Sequence, residues 1–412
     1  SFRALFWWYN TLPIYEANNM STVFDIFLEQ QPSLTHEQRV MEDYTKLGFP
    51  YNPFRVSQEG KQVPFYKEYM VNELREIFGW VQDIRQGKTK LALSVIGNIG
   101  IGKSRIFKEM ENLVKGLPSQ DRVLAESVDI RSAGLTRPSV GGWLFSTIEK
   151  MQLSWFTTEL PDGVFPLLWA IICAEPSVDS EQNNPLSKAV NSIRNTSDPE
   201  TKTAKARILT KWLNRYPLKT SEAEELRLYS RIDSDGVWPT YLCDLIRIAK
   251  EVNVLSTFFF FIDQLEDVYQ FSESRRIRIF TDLRGLIDEI DNGVPIGLVL
   301  SWAPEAQVGG KKYMGATLQG DYAALYTRLM RRKIEMPFLS RDDALPFAKV
   351  YVDALPSGGL KPVGFDQHIV DIVNAAWFEL ERQRRLQGNR TVPRTLLTAL
   401  GDEVERRAKI TV

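Results

Sequence analysis

The sequence predicts an α/β fold built on a doubly wound parallel sheet, and three observations point there. Near-continuous apolar runs of strand length recur at residues 90–96 (KLALSVI), 256–262 (STFFFFI) and 295–300 (PIGLVL). Strands buried on both faces read this way because neither face meets water. Segments with apolar residues three and four apart separate these runs, and such alternation clothes a parallel sheet with helices on both sides. A glycine-rich octapeptide, residues 97–104, follows the first run directly, at the strand-to-helix junction where backbone amides gather around anions.

Taken in order, residues 1–50 form an aromatic-rich lead-in that ends in LGFPYNPFR, where two prolines and a glycine favour an extended crossing. Its apolar patch, residues 4–9, is too short to span a membrane and lacks the basic flank and cleavage pattern of a signal peptide. Trp7, Trp8 and Tyr9 within it either pack on the core as a buried terminal segment, or stack on bases or cover a partner. An amphipathic helix is expected over residues 66–84, with Met70, Leu74, Ile77, Phe78 and Val81 on its apolar side. The first strand, the glycine loop and a helix over 105–114 come next, then a second strand at 122–130. Residues 131–254 read as a mostly helical insertion, interrupted by polar sequence at 179–200. The phenylalanine-rich third strand, a helix over 274–290 and the fourth strand complete the sheet. Beyond residue 300 the pattern is helical, through 344–353, 366–386 and 393–409. The expected domains are a nucleotide-binding body over 51–338 and a helical lid over 339–412.

Composition narrows the function classes. The 412 residues carry 51 basic and 52 acidic side chains, so no whole-chain field draws the protein to nucleic acid or lipid. Contact with DNA, if made, must be local. Cys173 and Cys243 lie far apart and the histidines are only His36 and His368, which offers neither a disulfide framework nor a zinc site. A cytoplasmic protein that makes no membrane contact is the expectation.

The octapeptide Gly97, Asn98, Ile99, Gly100, Ile101, Gly102, Lys103, Ser104 has the GxxxxGKS form. Glycines allow the backbone angles that turn successive N–H groups inward on a phosphate, Lys103 supplies a cation to the β and γ phosphates, and the Ser104 hydroxyl can ligate magnesium. Arg105 follows at the start of the helix. A second carboxylate ligand is expected at the tip of a neighbouring strand, and Asp263, delivered by four phenylalanines and an isoleucine, is the candidate. Hydrolysis needs a group that orients the attacking water; Gln264 stands directly after Asp263, and the next acids are Glu266 and Asp267, of which Glu266 reads equally as a solvated acid at a helix start.

With these elements placed, the chain resembles AAA+ P-loop NTPases of the origin-recognition and initiator-loader clade, with the transposition-regulator and ExeA-like ATPases that share their core. Asn52, Pro53, Phe54 and Arg55 are similar to a segment lying near the adenine in ExeA-like members. Ser301 falls at the family's polar sensor on the fourth strand. The passage from Tyr326 to Ser340 resembles one that makes Arg328 a finger for a neighbouring subunit's γ-phosphate, and Arg394 in GNRTVPR matches the lid's sensor arginine. Read without the resemblance, Arg328, Arg331 and Arg332 form a basic helix face, and Arg394 caps or pairs on a lid helix. The stretch from Lys211 to Ile248 looks like the helical segment of phage-exclusion (BREX-type) ATPases, and Asp263-Gln264-Leu265-Glu266 is similar to the DQxE form of STAND signalling ATPases, a likeness that implies Glu266 as the water-orienting residue.

The resemblance implies ATP with Mg2+ as cofactors, self-association into an ATP-dependent oligomer, a protein partner, and a DNA-transaction or anti-phage role. The alternative it implies is a STAND-type oligomerisation switch with slow turnover.

Overall fold

The computed structural model describes residues 44, 47–55, 66–88, 91–130, 139–175, 184–229, 231–232, 237–308, 312–355, 365–387 and 391–410. The lead-in through residue 43, with Trp7, Trp8 and Tyr9, lies outside the described residues, as do Gly388, Asn389 and Arg390. The chain divides into two compact units, residues 65–343 with 383–396, and residues 1–64 with 344–382 and 397–412.

In the larger unit, strands β1 (Leu93–Ile96), β2 (Val123–Asp129), β3 (Thr257–Asp263) and β4 (Ile296–Trp302) form where the apolar runs predict them. A short hairpin, β5 (Gln307–Val308) and β6 (Lys312–Tyr313), and a further strand, β7 (Lys333–Glu335), interrupt the region that the periodicity assigns to helix alone. The sheet order is β2-β3-β4-β1-β7, and every pairing in it is parallel. β7 has one buried residue, Ile334, between two exposed charged ones, so an apolar-run criterion has nothing to find. Its place comes from backbone bonds, Ser94 N–H donating to Arg332 O at 3.0 Å and Met336 N–H to Ile96 O at 2.7 Å.

β3 shows why an unbroken apolar run is required. Phe258, Phe260 and Ile262 face one core and Phe259 and Phe261 the other, and all five are buried. Truncating any of these phenylalanines to alanine is expected to cost about 3–5 kcal/mol. The second core is closed by α1 (Val71–Arg85) and α2 (Lys103–Lys115), with Trp80 edge-on to Phe259 at 5.8 Å between ring centroids. Phe78, expected on the apolar side of α1, is exposed, because the buried stripe runs through Leu74, Ile77, Val81 and Ile84.

The first core holds the insertion helices α3 (Val140–Lys150), α4 (Pro166–Cys173), α5 (Pro185–Arg194), α6 (Pro199–Leu213), α7 (Thr220–Leu226) and α8 (Trp238–Glu251), together with α9 (Glu273–Asp291). Several start on strong local signals, a proline in the first turn with Asn184 capping Ser187 N–H at 2.7 Å or Asp198 capping Thr201 N–H at 2.8 Å. α5 therefore forms inside the polar stretch read as an interruption, with Leu186, Ala189, Val190 and Ile193 buried at helical spacing. Helices α10 (Met314–Asp321) and α11 (Ala323–Leu329) precede β7.

The smaller unit contains most of α12 (Arg341–Asp353), α13 (Phe365–Gln387) and α14 (Pro393–Ile410), with residues 47–55. Phe49 packs edge-on to Phe365 at 5.5 Å, Phe54 lies 6.3 Å from Tyr351, and Asn52 Nδ2 donates to Gly401 O at 2.9 Å. Among the described residues, no helix is long and apolar enough to cross a membrane.

Candidate functional site

The strand order reverses at β1, with β4, β3 and β2 to one side and β7 to the other. Carboxyl ends of parallel strands at such a point make a crevice, and the glycine loop sits there. Gly100 and Gly102 adopt left-handed φ of +83° and +106°, which side-chain-bearing residues adopt only at a cost. A Cβ on Gly97 would come 2.8 Å from both Ile101 Cγ2 and Met336 Cβ, and one on Gly100 would come 2.8 Å from Arg394 Cβ. Ile101 is buried beneath the loop, its N–H donates to Asn98 O at 3.2 Å, and Tyr69 Oη donates to Ile101 O at 3.0 Å. The opening turn of α2 carries no side-chain cap, which leaves its amides and the positive end of its dipole for an anion.

Lys103 is only 7% exposed, and its ammonium donates to Gly97 O at 2.7 Å and Asn98 O at 3.2 Å. Burial pushes its pKa down; the carboxylates of Glu266 and Asp263 oppose that shift, and the Arg394 guanidinium adds to it. Ser104 is exposed on the first turn, Ile99 stands out at the apex of the loop, and the Arg105 guanidinium is held by Glu109 at 3.0 Å.

Asp263 ends β3 and Ser301 lies near the end of β4, the strand between β3 and β1, so these residues and the loop share one end of the sheet. Asp263 Oδ1 accepts hydrogen bonds from the Ser301 hydroxyl and from Gln264 N–H, the latter at 2.9 Å. Gln264 N–H also donates to Ser301 Oγ at 3.0 Å. Gln264 is left-handed at φ 57°, ψ 55°, a conformation costing a residue with a side chain roughly 1–2 kcal/mol. This bend turns the chain from β3 into a 3-10 turn, Leu265–Gln270, and brings Glu266 back beside the site. Glu266 Oε2 accepts from Ala303 N–H at 3.2 Å. Burial raises its pKa, against the opposing pull of Lys103 and of the Ala303 amide.

Lys103, Asp263, Glu266 and Ser301 are thus brought together, with Arg394 beside the loop through its backbone N–H to Gly100 O at 3.2 Å. Arg328 is engaged elsewhere: it grips Asp288 of α9 through Nε at 2.5 Å and Nη2 at 3.1 Å. Arg331 pairs with Asp291 and Arg332 with Asp83. Pro53, Phe54 and Arg55 belong to the smaller unit, where Arg55 pairs with Asp402 and Glu405. Three contributors escape the sequence patterns. Tyr69, Ala303 and Glu305, which accepts from Asn98 Nδ2 at 2.7 Å, carry no motif or period that marks them.

Among the described residues no three His, Cys, Asp or Glu side chains converge as a metal site. One carboxylate and one hydroxyl, Asp263 and Ser104, are hard oxygen donors suited to a magnesium ion that completes its shell with phosphate oxygens and water.

No family model matches the sequence, and no curated protein matches it. Among solved structures the chain is similar to the Walker-type ATPase PABY2304 of Pyrococcus abyssi, at TM-score 0.36 and 13% identity, over 87% of this chain and 76% of that one.

Proposed function

We propose that this chain is an AAA+-type ATPase that binds ATP with magnesium at a subunit interface and uses binding and hydrolysis to assemble or remodel a DNA-transaction or anti-phage defence complex. One observation carries the reading: the GxxxxGKS loop holds a buried Lys103 in the field of Asp263 and Glu266, at the point where the strand order reverses. Gly97 to Ser104 cradle the phosphates, and Ser104 with Asp263 would hold magnesium, whose charge neutralises the phosphate oxygens. Ser301 fixes the Asp263 carboxylate by hydrogen bonding, and Glu266 orients the attacking water. Arg394 approaches the phosphates from beside Gly100, and Arg328, once released from Asp288, reaches the γ-phosphate of an adjoining subunit.

The slow-switch reading has its own support in Gln264, which occupies the position after Asp263, and in the raised pKa of Glu266, which weakens it as an ionised water-orienting group. Light scattering separates the two. Assembly with a non-hydrolysable ATP analogue that duplex DNA enhances supports the remodelling role. Assembly indifferent to DNA, with negligible turnover, supports the switch, and a monomer under every nucleotide condition contradicts both.

A further inference from the structure

Asn98 makes two bonds in different directions. Its carbonyl accepts from the Lys103 ammonium at 3.2 Å, while its side-chain amide donates to Glu305 Oε2 at 2.7 Å. Lys103 is the group that meets the β and γ phosphates in a loop of this form, so Asn98, bonded to its ammonium, stands at the β–γ side of the cradle. Glu305 is itself exposed and is presented by a braced stretch just past β4. Gly97 N–H donates to Trp302 O at 3.3 Å and Ala303 N–H to Glu266 Oε2 at 3.2 Å, tying that stretch to the loop and to the candidate water-orienting acid. Further along, Gly315 N–H donates to Pro304 O at 3.0 Å and Met314 N–H to Ala306 O at 2.9 Å, which anchors it on α10. A carboxylate held at the mouth of a phosphate site repels the incoming anion and also occupies a donor that the anion needs.

We propose that the Asn98–Glu305 pair discriminates triphosphate from diphosphate: Glu305 holds the Asn98 amide until a γ-phosphate takes it, so that a γ-phosphate opens the pair and a diphosphate leaves it closed. This rests on the nucleotide-binding reading above. Among the described residues, opening removes one of the two ties between the loop and the stretch that leads to the hairpin β5–β6 and α10, the Gly97–Trp302 bond being the other, which makes the pair a reporter of the γ position.

The test is calorimetric titration of wild type, Glu305→Gln, Glu305→Ala and Asn98→Ala with magnesium and either ADP or a non-hydrolysable ATP analogue. Both Glu305 variants are expected to bind the triphosphate about 3- to 10-fold more tightly with diphosphate affinity changed less than about 2-fold, an advantage that shrinks as salt is raised. Asn98→Ala is expected to lose about 3- to 10-fold in triphosphate affinity alone, by removal of one charge-assisted hydrogen bond. Equal shifts for both nucleotides, or shifts of the same sign in Glu305→Gln and Asn98→Ala, would overturn the pair as a discriminator while leaving the nucleotide site standing. Failure of wild type to bind either nucleotide would overturn the site and the pair together.

Discussion

Gly100→Ala tests whether the loop is held by contact as well as by backbone preference. The left-handed φ of +83° costs an alanine roughly 1–2 kcal/mol. The new Cβ would lie 2.8 Å from Arg394 Cβ, an atom fixed on a backbone whose N–H is bonded to Gly100 O at 3.2 Å, so neither side can withdraw without breaking that bond. Overpacking of this kind adds about 1–3 kcal/mol, giving a total near 2–5 kcal/mol. Two variants separate the contributions. Gly87 has φ +66° with nothing within 4 Å of an added Cβ, so Gly87→Ala isolates the backbone cost. Gly97→Ala meets Ile101 and Met336 at 2.8 Å without a left-handed φ and isolates the clash. Urea unfolding followed by tryptophan fluorescence reports on the larger unit, where Trp80, Trp143, Trp212 and Trp302 are fully buried. The expected order of destabilisation puts Gly100→Ala above both others. A Gly100→Ala protein no less stable than Gly87→Ala would refute a rigid Arg394 contact.

Ser301→Ala removes the hydroxyl that donates to Asp263 and accepts from Gln264, and is expected to lower unfolding stability by about 1–3 kcal/mol and turnover at least tenfold, with nucleotide affinity nearly intact. Glu266 has a raised folded pKa, so its contribution to stability is fully present below the ordinary glutamate pKa and is lost as pH rises through the raised value. Glu266→Gln should therefore gain stability relative to wild type across that rise, measured by urea midpoints against pH, and should retain nucleotide binding while slowing hydrolysis. A constant difference at all pH values would show that Glu266 is not desolvated. Arg328→Ala should reduce turnover with monomer nucleotide affinity unchanged, whereas Asp288→Asn, which frees the arginine, should leave turnover intact or raise it. Equal turnover losses in the two variants would reduce Arg328 to a structural ion pair.

The glycine loop between β1 and α2 and the place of Asp263 at the end of β3 are legible in the sequence because their signals are local: glycines at fixed offsets before a lysine, and a carboxylate at the end of an apolar run that needs burial on both faces. Ser301 is marked only by the resemblance; the strand that carries it is legible as an apolar run, its hydrogen bond to Asp263 is not. What stays hidden depends on partners distant in the chain. Arg328 reads as a basic helix face until Asp288, forty positions earlier, is placed against it on α9. Arg55 meets Asp402 and Glu405 only across some 350 residues. β7 is invisible to an apolar-run criterion because an edge strand of three residues needs one buried side chain. Gln264 gives no hint of its left-handed backbone, which is fixed by the double acceptance of its N–H by Asp263 and Ser301.

The most direct test of the account is isothermal calorimetry of ATP with magnesium into wild type and Lys103→Ala. Saturable heat is expected with wild type, and its loss in a Lys103→Ala protein that keeps the wild-type circular dichroism spectrum. No heat from ATP or ADP in wild type, or equal binding by Lys103→Ala, would contradict it.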